Sequence, residues 1–145
     1  MRVDFYVLGQ NAPDPIVAAL AAKALGEGER LLIVDADEAR RVAISDMLWE
    51  ARPEQFLANG LAADPHASRQ PILISDKAEA PNGARLLCLA DGRWREPGGF
   101  ERVLYLFGDE ALPEARAQWR RLSDHEDTER HFWKQDDHGR WIEGP

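Results

Sequence analysis

Five short, largely apolar runs recur along the 145-residue chain, and each is too short for a buried helix. They occupy residues 3–8, 30–34, 71–75, 84–89 and 102–107. Short apolar runs bounded by turn residues are typical of strands, and continuous ones are typical of strands covered on both faces. We therefore expect a sheet of about five strands with a buried centre.

Helical patterns separate the first of these runs. Residues 16–25 are rich in alanine and end at Gly26, and residues 37–50 place apolar side chains at intervals of three and four before Arg52-Pro53 ends the pattern. Strands that alternate with helices form right-handed βαβ units and parallel sheets. We therefore predict a three-layer α/β/α fold with a mainly parallel sheet and a last helix over residues 112–122.

The chain is predicted to hold one α/β domain over residues 1–122, because its length suits a single core. Residues 123–145 mix charged and aromatic side chains, so we expect a tail that packs on the domain or extends from it. Residues 56–61 are expected to form an irregular link. The third and fourth strands are separated by little more than a turn, so an antiparallel pairing between them stays open.

A formal net charge of −8 argues against binding of nucleic acid through phosphate over the whole surface. Such surfaces need clustered lysine and arginine side chains that release counterions. We therefore expect mostly indirect contact with DNA, and stacking of single-stranded DNA on Trp133 and Trp141 stays open as an alternative. The N-terminal sequence lacks the pattern of a signal peptide or a membrane span, so we expect a cytoplasmic protein without a membrane partner.

The loop after the first predicted strand bears on nucleotide binding. Residues 9–15 contain one glycine and two prolines. A dinucleotide loop needs several glycines so that backbone N–H groups can approach the pyrophosphate, and proline has no N–H to donate. We therefore predict a Rossmann-like sheet without a nucleotide-binding loop, without a cofactor and without a metal.

Asp35 and Asp37 offer an alternative, because they follow the second strand at the edge where α/β proteins place ligands. With a metal they would make the chain a small enzyme of phosphoryl transfer. In the simpler interpretation, Asp35 ends the strand and Asp37 caps the next helix. The sequence shows no set of nucleophile, base and oxyanion donors, which favours a protein without catalytic activity.

The last predicted helix carries a pattern suited to binding. Arg116, Trp119 and Arg120 stand at i, i+3 and i+4 and therefore share one face. Two guanidinium groups can hold a carboxylate while an apolar side chain packs on the indole, which suits an acidic peptide with an aromatic residue or a free C-terminus. In the other interpretation, Trp119 is a core residue and the arginines are solvated.

Trp49 and Phe56 form a second candidate, at the end of the second helix and just beyond it. Aromatic side chains at the edge of a polar loop are typical interface anchors. They are also ordinary core residues, so both interpretations stay open.

These residues lie in stretches that resemble the chi subunit family of bacterial DNA polymerase III. The most specific stretch is Leu48-Trp49 with Pro-Glu-Gln-Phe-Leu at 53–57 and Gly60-Leu61, and further matches lie at 4–8, 30–33, 71–74, 103–107 and 115–120. The resemblance extends to about Arg121. The segment beyond Leu122 is unlike the best-known members.

The resemblance implies a non-catalytic adaptor in DNA replication with a Rossmann-like fold that binds no nucleotide. Chi proteins bind the acidic, Pro-Phe-ending C-terminal tail of single-stranded DNA-binding protein, and they bind the psi subunit that joins them to the clamp loader. The tail-binding positions carried over to this chain are Leu106, Arg116, Trp119 and Arg120. The psi-side positions are Trp49 and Phe56.

Four departures from the family pattern affect these positions. The family usually has Tyr or Phe at Trp119 and often Lys at Arg120, and both changes keep the chemistry. Gln118 replaces a second arginine, which would weaken the tail site. Ala58-Asn59 replaces a Pro-His pair.

Overall fold

The computed structural model describes residues 1–51 and 54–144, so the predicted helix stop at Arg52-Pro53 lies outside the described residues. In chain order the elements are β1 (Arg2–Gly9), α1 (Asp14–Gly26), β2 (Leu31–Val34), α2 (Glu38–Ala51), β3 (Asn59–Leu61), β4 (Ile72–Ser75), β5 (Leu86–Leu89), β6 (Arg102–Gly108), α3 (Leu112–Leu122), β7 (Glu129–Gln135) and β8 (Trp141–Glu143). The five predicted strands and three predicted helices are all among them. Across residues 1–51 and 54–144, no helix combines the length and hydropathy that a membrane span requires.

The strands form one sheet in the order β3-β4-β2-β5-β6-β1-β7-β8. Every neighbouring pair is parallel except β7 and β8, which run antiparallel. The predicted α/β fold with a mainly parallel sheet is therefore confirmed. The sheet has eight strands rather than about five, because β3 forms in the expected link and β7 and β8 form after residue 122.

Alternate side chains of the central strands enter two cores, one on each face of the sheet. One core lies under α1 and α2, where Val17 and Ile44 pack with strand residues such as Ile33. The other lies under α3, where Ala115 packs with strand residues such as Phe5. The layers are therefore α/β/α, with two helices on one face and one on the other. We call the two sides the α1–α2 face and the α3 face.

The connection between β4 and β5 crosses the sheet without a helix. Both strands lie beside β2 and run parallel to it, so the antiparallel pairing left open above does not occur. The side-chain amide of buried Asn82 donates to the Gln70 carbonyl at 2.9 Å, and Arg30 donates to the Asn82 carbonyl at 2.8 Å. Short side chains, including Ala80, pack this segment directly onto the α3 face. A chain segment so closely packed can make the crossover without a helix.

The C-terminal strands are tied to the centre of the sheet through Asp4, which is fully buried on β1. Its carboxylate accepts hydrogen bonds from Trp133 Nε1 of β7 at 2.9 Å and from Arg102 Nε of β6 at 2.8 Å, and Arg2 also donates to it. Burial alone would raise the pKa of Asp4, but the hydrogen bonds outweigh it and hold that pKa below its ordinary value. Residues 129–143 are therefore anchored to the sheet rather than free of it.

Candidate protein-binding site

The helix α3 lies over the strands β6, β1 and β7 and covers them only in part. Leu112 and Pro113 begin the helix, where proline is favoured because the first N–H groups have no helical partner. Ala115 and Leu122 point into the core and are buried, whereas Arg116 and Arg120 are exposed on the flank. The helix thus sets a polar rim above an apolar sheet surface.

A pocket of about 200 Å³ opens between α3 and the strands β6, β1 and β7. Its apolar lining comes from Phe107, Phe5 and Phe132, one from each strand, and from Leu112, Ala115 and Trp119 of the helix. Arg116 and Arg120 complete the lining from α3. The structure therefore brings three of the four predicted tail-binding residues together around one concave aromatic surface.

Trp119 is held from three sides while it lines this pocket. Its ring meets Phe5 edge-on at 5.1 Å between centroids and Phe132 at 6.1 Å. The Arg130 guanidinium lies over the indole, 4.2 Å from the ring centroid, and Arg130 Nη1 donates to the Trp119 carbonyl at 2.7 Å. Such cation–π and edge-on contacts fix the ring against the sheet, as the core interpretation of Trp119 expects. It packs against the sheet and still lines the pocket.

The arginines of α3 differ in what they bind. Arg121 forms an ion pair with Glu96 at 3.0 Å, and its Nε donates to Gln118 Oε1 at 2.8 Å. Arg116 and Arg120 form no ion pair with any of the residues that the structure describes. The two guanidinium groups at the mouth of the pocket are therefore available to an external anion.

Leu106, the fourth predicted residue, is not brought to this pocket. It is fully buried in the core of the α1–α2 face, because side chains alternate along β6. Its neighbour Phe107 points to the α3 face and lines the pocket instead. The sequence shows this alternation but not which of the two residues faces α3.

Phe132 and Arg130 are the site residues that the sequence reasoning missed. Both belong to β7, in the segment that was expected to form a tail. The adjacent rings of Phe132 and Trp133 were the available signal, since neighbouring residues on a strand point to opposite faces. Phe132 does face α3, and Trp133 faces α1 and α2.

Trp49 and Phe56 lie together on the surface of the α1–α2 face. Their rings meet at 5.1 Å between centroids, and the side chains are 43% and 68% exposed. Phe56 has φ = 51°, a left-handed backbone conformation that is unusual for an aromatic residue. These two residues are therefore not core residues. We call them the aromatic pair.

Asp35 and Asp37 are engaged at the start of α2. The Asp37 N–H donates to Asp35 Oδ1 and the Ala39 N–H donates to Asp37 Oδ1, both at 2.9 Å. Burial raises the pKa of Asp35 above its ordinary value. Among the described residues, no group of three or more His, Cys, Asp or Glu side chains is arranged to hold a metal ion. The geometry supports the simpler interpretation, in which Asp35 ends the strand and Asp37 caps α2.

Trp133 and Trp141, the alternative stacking platform for DNA, are engaged with β1. Trp133 stacks on Tyr6 at 6.2 Å with an interplanar angle of 14°, and Trp141 meets the same ring edge-on at 5.3 Å. Both indoles are only partly exposed. Their packing gives no support to a role in base stacking.

Comparison with known proteins identifies the family. The family described as "DNA polymerase III chi subunit, HolC" matches residues 1–128. The chain belongs to the DNA polymerase III chi subunit family. The resemblance shown by its sequence motifs is therefore confirmed.

Curated chi subunits are similar to parts of the chain. The DNA polymerase III subunit chi of Pseudomonas aeruginosa is 32% identical over 95 residues, which cover 55% of this chain and 67% of that protein. The subunit chi of Haemophilus influenzae is 31% identical over 74 residues, covering 49% of this chain and 51% of that protein. A probable subunit chi of Rickettsia prowazekii is 31% identical over 58 residues, covering 40% and 35%.

Some pocket residues lie inside the range matched by the chi family and others lie beyond it. The match includes α3 and the pocket residues of β1 and β6, and it ends at residue 128, just before β7. Arg130 and Phe132 therefore complete a pocket in a chi family member from outside the matched range.

Proposed function

We propose that this chain is a non-catalytic adaptor subunit of DNA polymerase III that binds the acidic C-terminal tail of single-stranded DNA-binding protein. The observation that carries the proposal is the α3 pocket, where an aromatic cavity lies beside Arg116 and Arg120 in a chain of net charge −8. Membership of the chi family supports the same partner. Contact with DNA would then be indirect, through the protein that coats it.

The pocket suits a peptide that ends in an aromatic residue. The terminal ring would pack against Trp119 and Phe132, and burial of an aromatic side chain contributes about 2 kcal/mol. The α-carboxylate would lie between the guanidinium groups of Arg116 and Arg120, which can donate charge-assisted hydrogen bonds. A peptide with an amidated C-terminus would keep the contact of its terminal ring and lose the contact of the α-carboxylate with the two arginines.

A second partner is proposed for the opposite layer. The aromatic pair, Trp49 and Phe56, is exposed on the α1–α2 face and forms an apolar anchor of the kind found at protein interfaces. We assign it to the psi subunit or to an equivalent component of the clamp loader. The sheet separates the two sites, so both partners can be bound at once.

The tail proposal is tested with the full chain and a labelled acidic peptide that ends in Pro-Phe. Titration by fluorescence anisotropy should show that Arg116→Ala and Arg120→Ala each weaken binding about tenfold, since each removes a charge-assisted contact. Arg69→Ala is the matched control, because Arg69 is exposed but distant from α3. Binding by both pocket variants as tight as that of the control would disprove the site.

A further inference from the structure

The hairpin of β7 and β8 carries charge of opposite sign on its two faces. Side chains alternate along each strand, and Lys134 pairs with Ile142 in the antiparallel register. Arg130, Phe132, Lys134 and Ile142 therefore share the side turned toward α3, which we call the hairpin face. The other side bears Glu129 and Glu143, which flank His131 and interact with it.

The hairpin face is uncovered beyond Phe132. Ile142 is 42% exposed, and Lys134 is exposed with no ion pair to any described residue. Arg130 is already engaged with the indole of Trp119. One exposed aliphatic side chain and one available lysine thus lie beyond Phe132, next to the pocket wall.

The pocket and the hairpin face form one continuous surface at Phe132. The Gly144 N–H donates to the Phe132 carbonyl at 2.7 Å, which continues the pairing of the two strands past the end of β8. A Cβ atom at Gly144 would lie 2.8 Å from Cδ1 of the Phe132 ring. The absence of a side chain at Gly144 therefore leaves room for the Phe132 ring beside it.

The direction of the elements places Lys134 opposite Arg116. The helix α3 joins the end of β6 to the start of β7, and both strands run parallel to β1, so α3 runs opposite to β7. From the contact of Trp119 with Phe132, Arg116 lies about 4.5 Å back along the helix axis and Lys134 about 6.6 Å forward along the strand. The two cations therefore stand at about the same level along the sheet, Arg116 on the helix and Lys134 on the strand.

We propose that the hairpin face is the second half of the tail-binding site and that it binds the acidic residues preceding the C-terminal aromatic residue. Lys134 pairs with an acidic side chain of the peptide, and Ile142 packs against the peptide's apolar atoms. The occupant follows from charge complementarity, since Arg116 and Lys134 form no ion pair with any described residue while the chain as a whole is acidic. This inference rests on the tail-binding function proposed above.

The test compares two labelled peptides on the full chain. The long peptide has acidic residues before Pro-Phe, and the short one has uncharged residues in their place. Lys134→Glu should weaken binding of the long peptide about tenfold and Ile142→Ser about threefold, while binding of the short peptide stays unchanged. Lys134→Gln, which removes the charge without reversing it, should have an intermediate effect.

The controls make the same chemical changes elsewhere. Lys23→Glu changes the net charge by the same amount as Lys134→Glu, at an exposed position on α1. Val42→Ser removes an aliphatic side chain of α2 that is as exposed as Ile142. Circular dichroism and thermal melts of every variant show whether the fold is retained. Both controls should bind the two peptides as the unmodified chain does.

Each other outcome overturns the inference in a distinguishable way. If Arg116→Ala weakens both peptides and the hairpin variants weaken neither, the pocket stands and the hairpin face is not part of the site. Equal loss for both peptides on Lys134→Glu would mean that the hairpin acts through the pocket alone. If Arg116→Ala also has no effect, the tail-binding function itself fails. If the hairpin variants have a lower sedimentation coefficient than the unmodified chain but bind both peptides equally well, the hairpin face contacts a second copy of the chain instead.

Discussion

The α3 pocket and the aromatic pair place aromatic rings at the surface in two different ways. The pocket is concave, is walled by rings from three strands, and has two available arginines at its mouth. The aromatic pair projects from the end of α2 and from the chain beyond it, and neither ring is enclosed. A concave site with charge suits a short extended peptide, whereas a projecting apolar pair suits insertion into a larger folded partner. We therefore expect binding at the two sites to respond differently to mutation and to salt, and to the backbone conformation of Phe56.

The largest expected effect separates the two sites through Asp4. Asp4→Ala leaves Arg2 and Arg102 without their buried partner and removes the acceptor for Trp133 of β7, which should cost about 3 kcal/mol of stability. Because β7 walls the pocket, tail binding should fall in the folded variant, while binding at the aromatic pair should not. Urea denaturation and peptide titration measure the two effects.

The pH dependence of this variant supplies a further check. The folded-state pKa of Asp4 lies below its unfolded value, so its stabilisation is present above the unfolded pKa and is lost as pH falls through the folded pKa. The difference in stability between the unmodified chain and Asp4→Ala should therefore shrink in acid. A difference that stays constant as the pH is lowered would contradict the assigned role.

The next effect concerns the aromatic pair. Trp49→Ala removes an anchor that is 43% exposed and should weaken binding to the clamp-loader partner about tenfold, with tail binding unchanged. Val42→Ala, on the exposed surface of the same helix, is the matched control. Co-purification with the partner measures the first effect and anisotropy the second. Loss of tail binding in Trp49→Ala would break the separation of the two sites.

Salt should distinguish the sites more gently. The proposed tail site uses the charges of Arg116 and Arg120. Raising the ionic strength from about 0.1 M to 1 M shortens the Debye length from about 10 to 3 Å and should therefore weaken tail binding severalfold. The aromatic pair presents two rings rather than paired guanidinium groups, so binding there should depend less on salt. Parallel titrations at both ionic strengths measure the contrast, and equal salt dependence would contradict it.

The smallest effect concerns the backbone at Phe56. Its φ of 51° is costly for an aromatic residue and better tolerated by asparagine. Phe56→Asn should therefore raise the free energy of unfolding by about 0.5 kcal/mol while it weakens binding to the clamp-loader partner. A variant that is less stable than the unmodified chain would show that the contact of Phe56 with Trp49 stabilises the fold by more than the backbone conformation costs.

The sequence predicted the centre of the fold well because the central strands are covered on both faces. Leu31, Ile72 and Leu87 are almost fully inaccessible to solvent, and such strands appear in the sequence as continuous apolar runs. The strands β7 and β8 lack this signal. They are half exposed and contain residues such as Glu129 and Lys134, so composition alone predicted a charged tail.

The candidate site was predictable to the level of the helix and not of the strands. The spacing of Arg116, Trp119 and Arg120 fixes their common face without tertiary information. Whether Leu106 or Phe107 faces α3 depends on how β6 is rotated in the sheet. Both residues are apolar and suit either core, so the sequence does not decide between them. The contribution of Phe132 depends on the parallel pairing of β7 with β1, a contact between distant parts of the chain.

The placement of α1 and α2 on one face and α3 on the other has a mechanical consequence. In the proposed arrangement the chain links two partners in series, so the linkage lasts only as long as the contact that dissociates faster. A lower dissociation rate at the other contact would not prolong it. Because neither contact covers the other, each partner can also be exchanged while the second keeps the chain in place. In such an arrangement the two partners dissociate from the chain independently of each other.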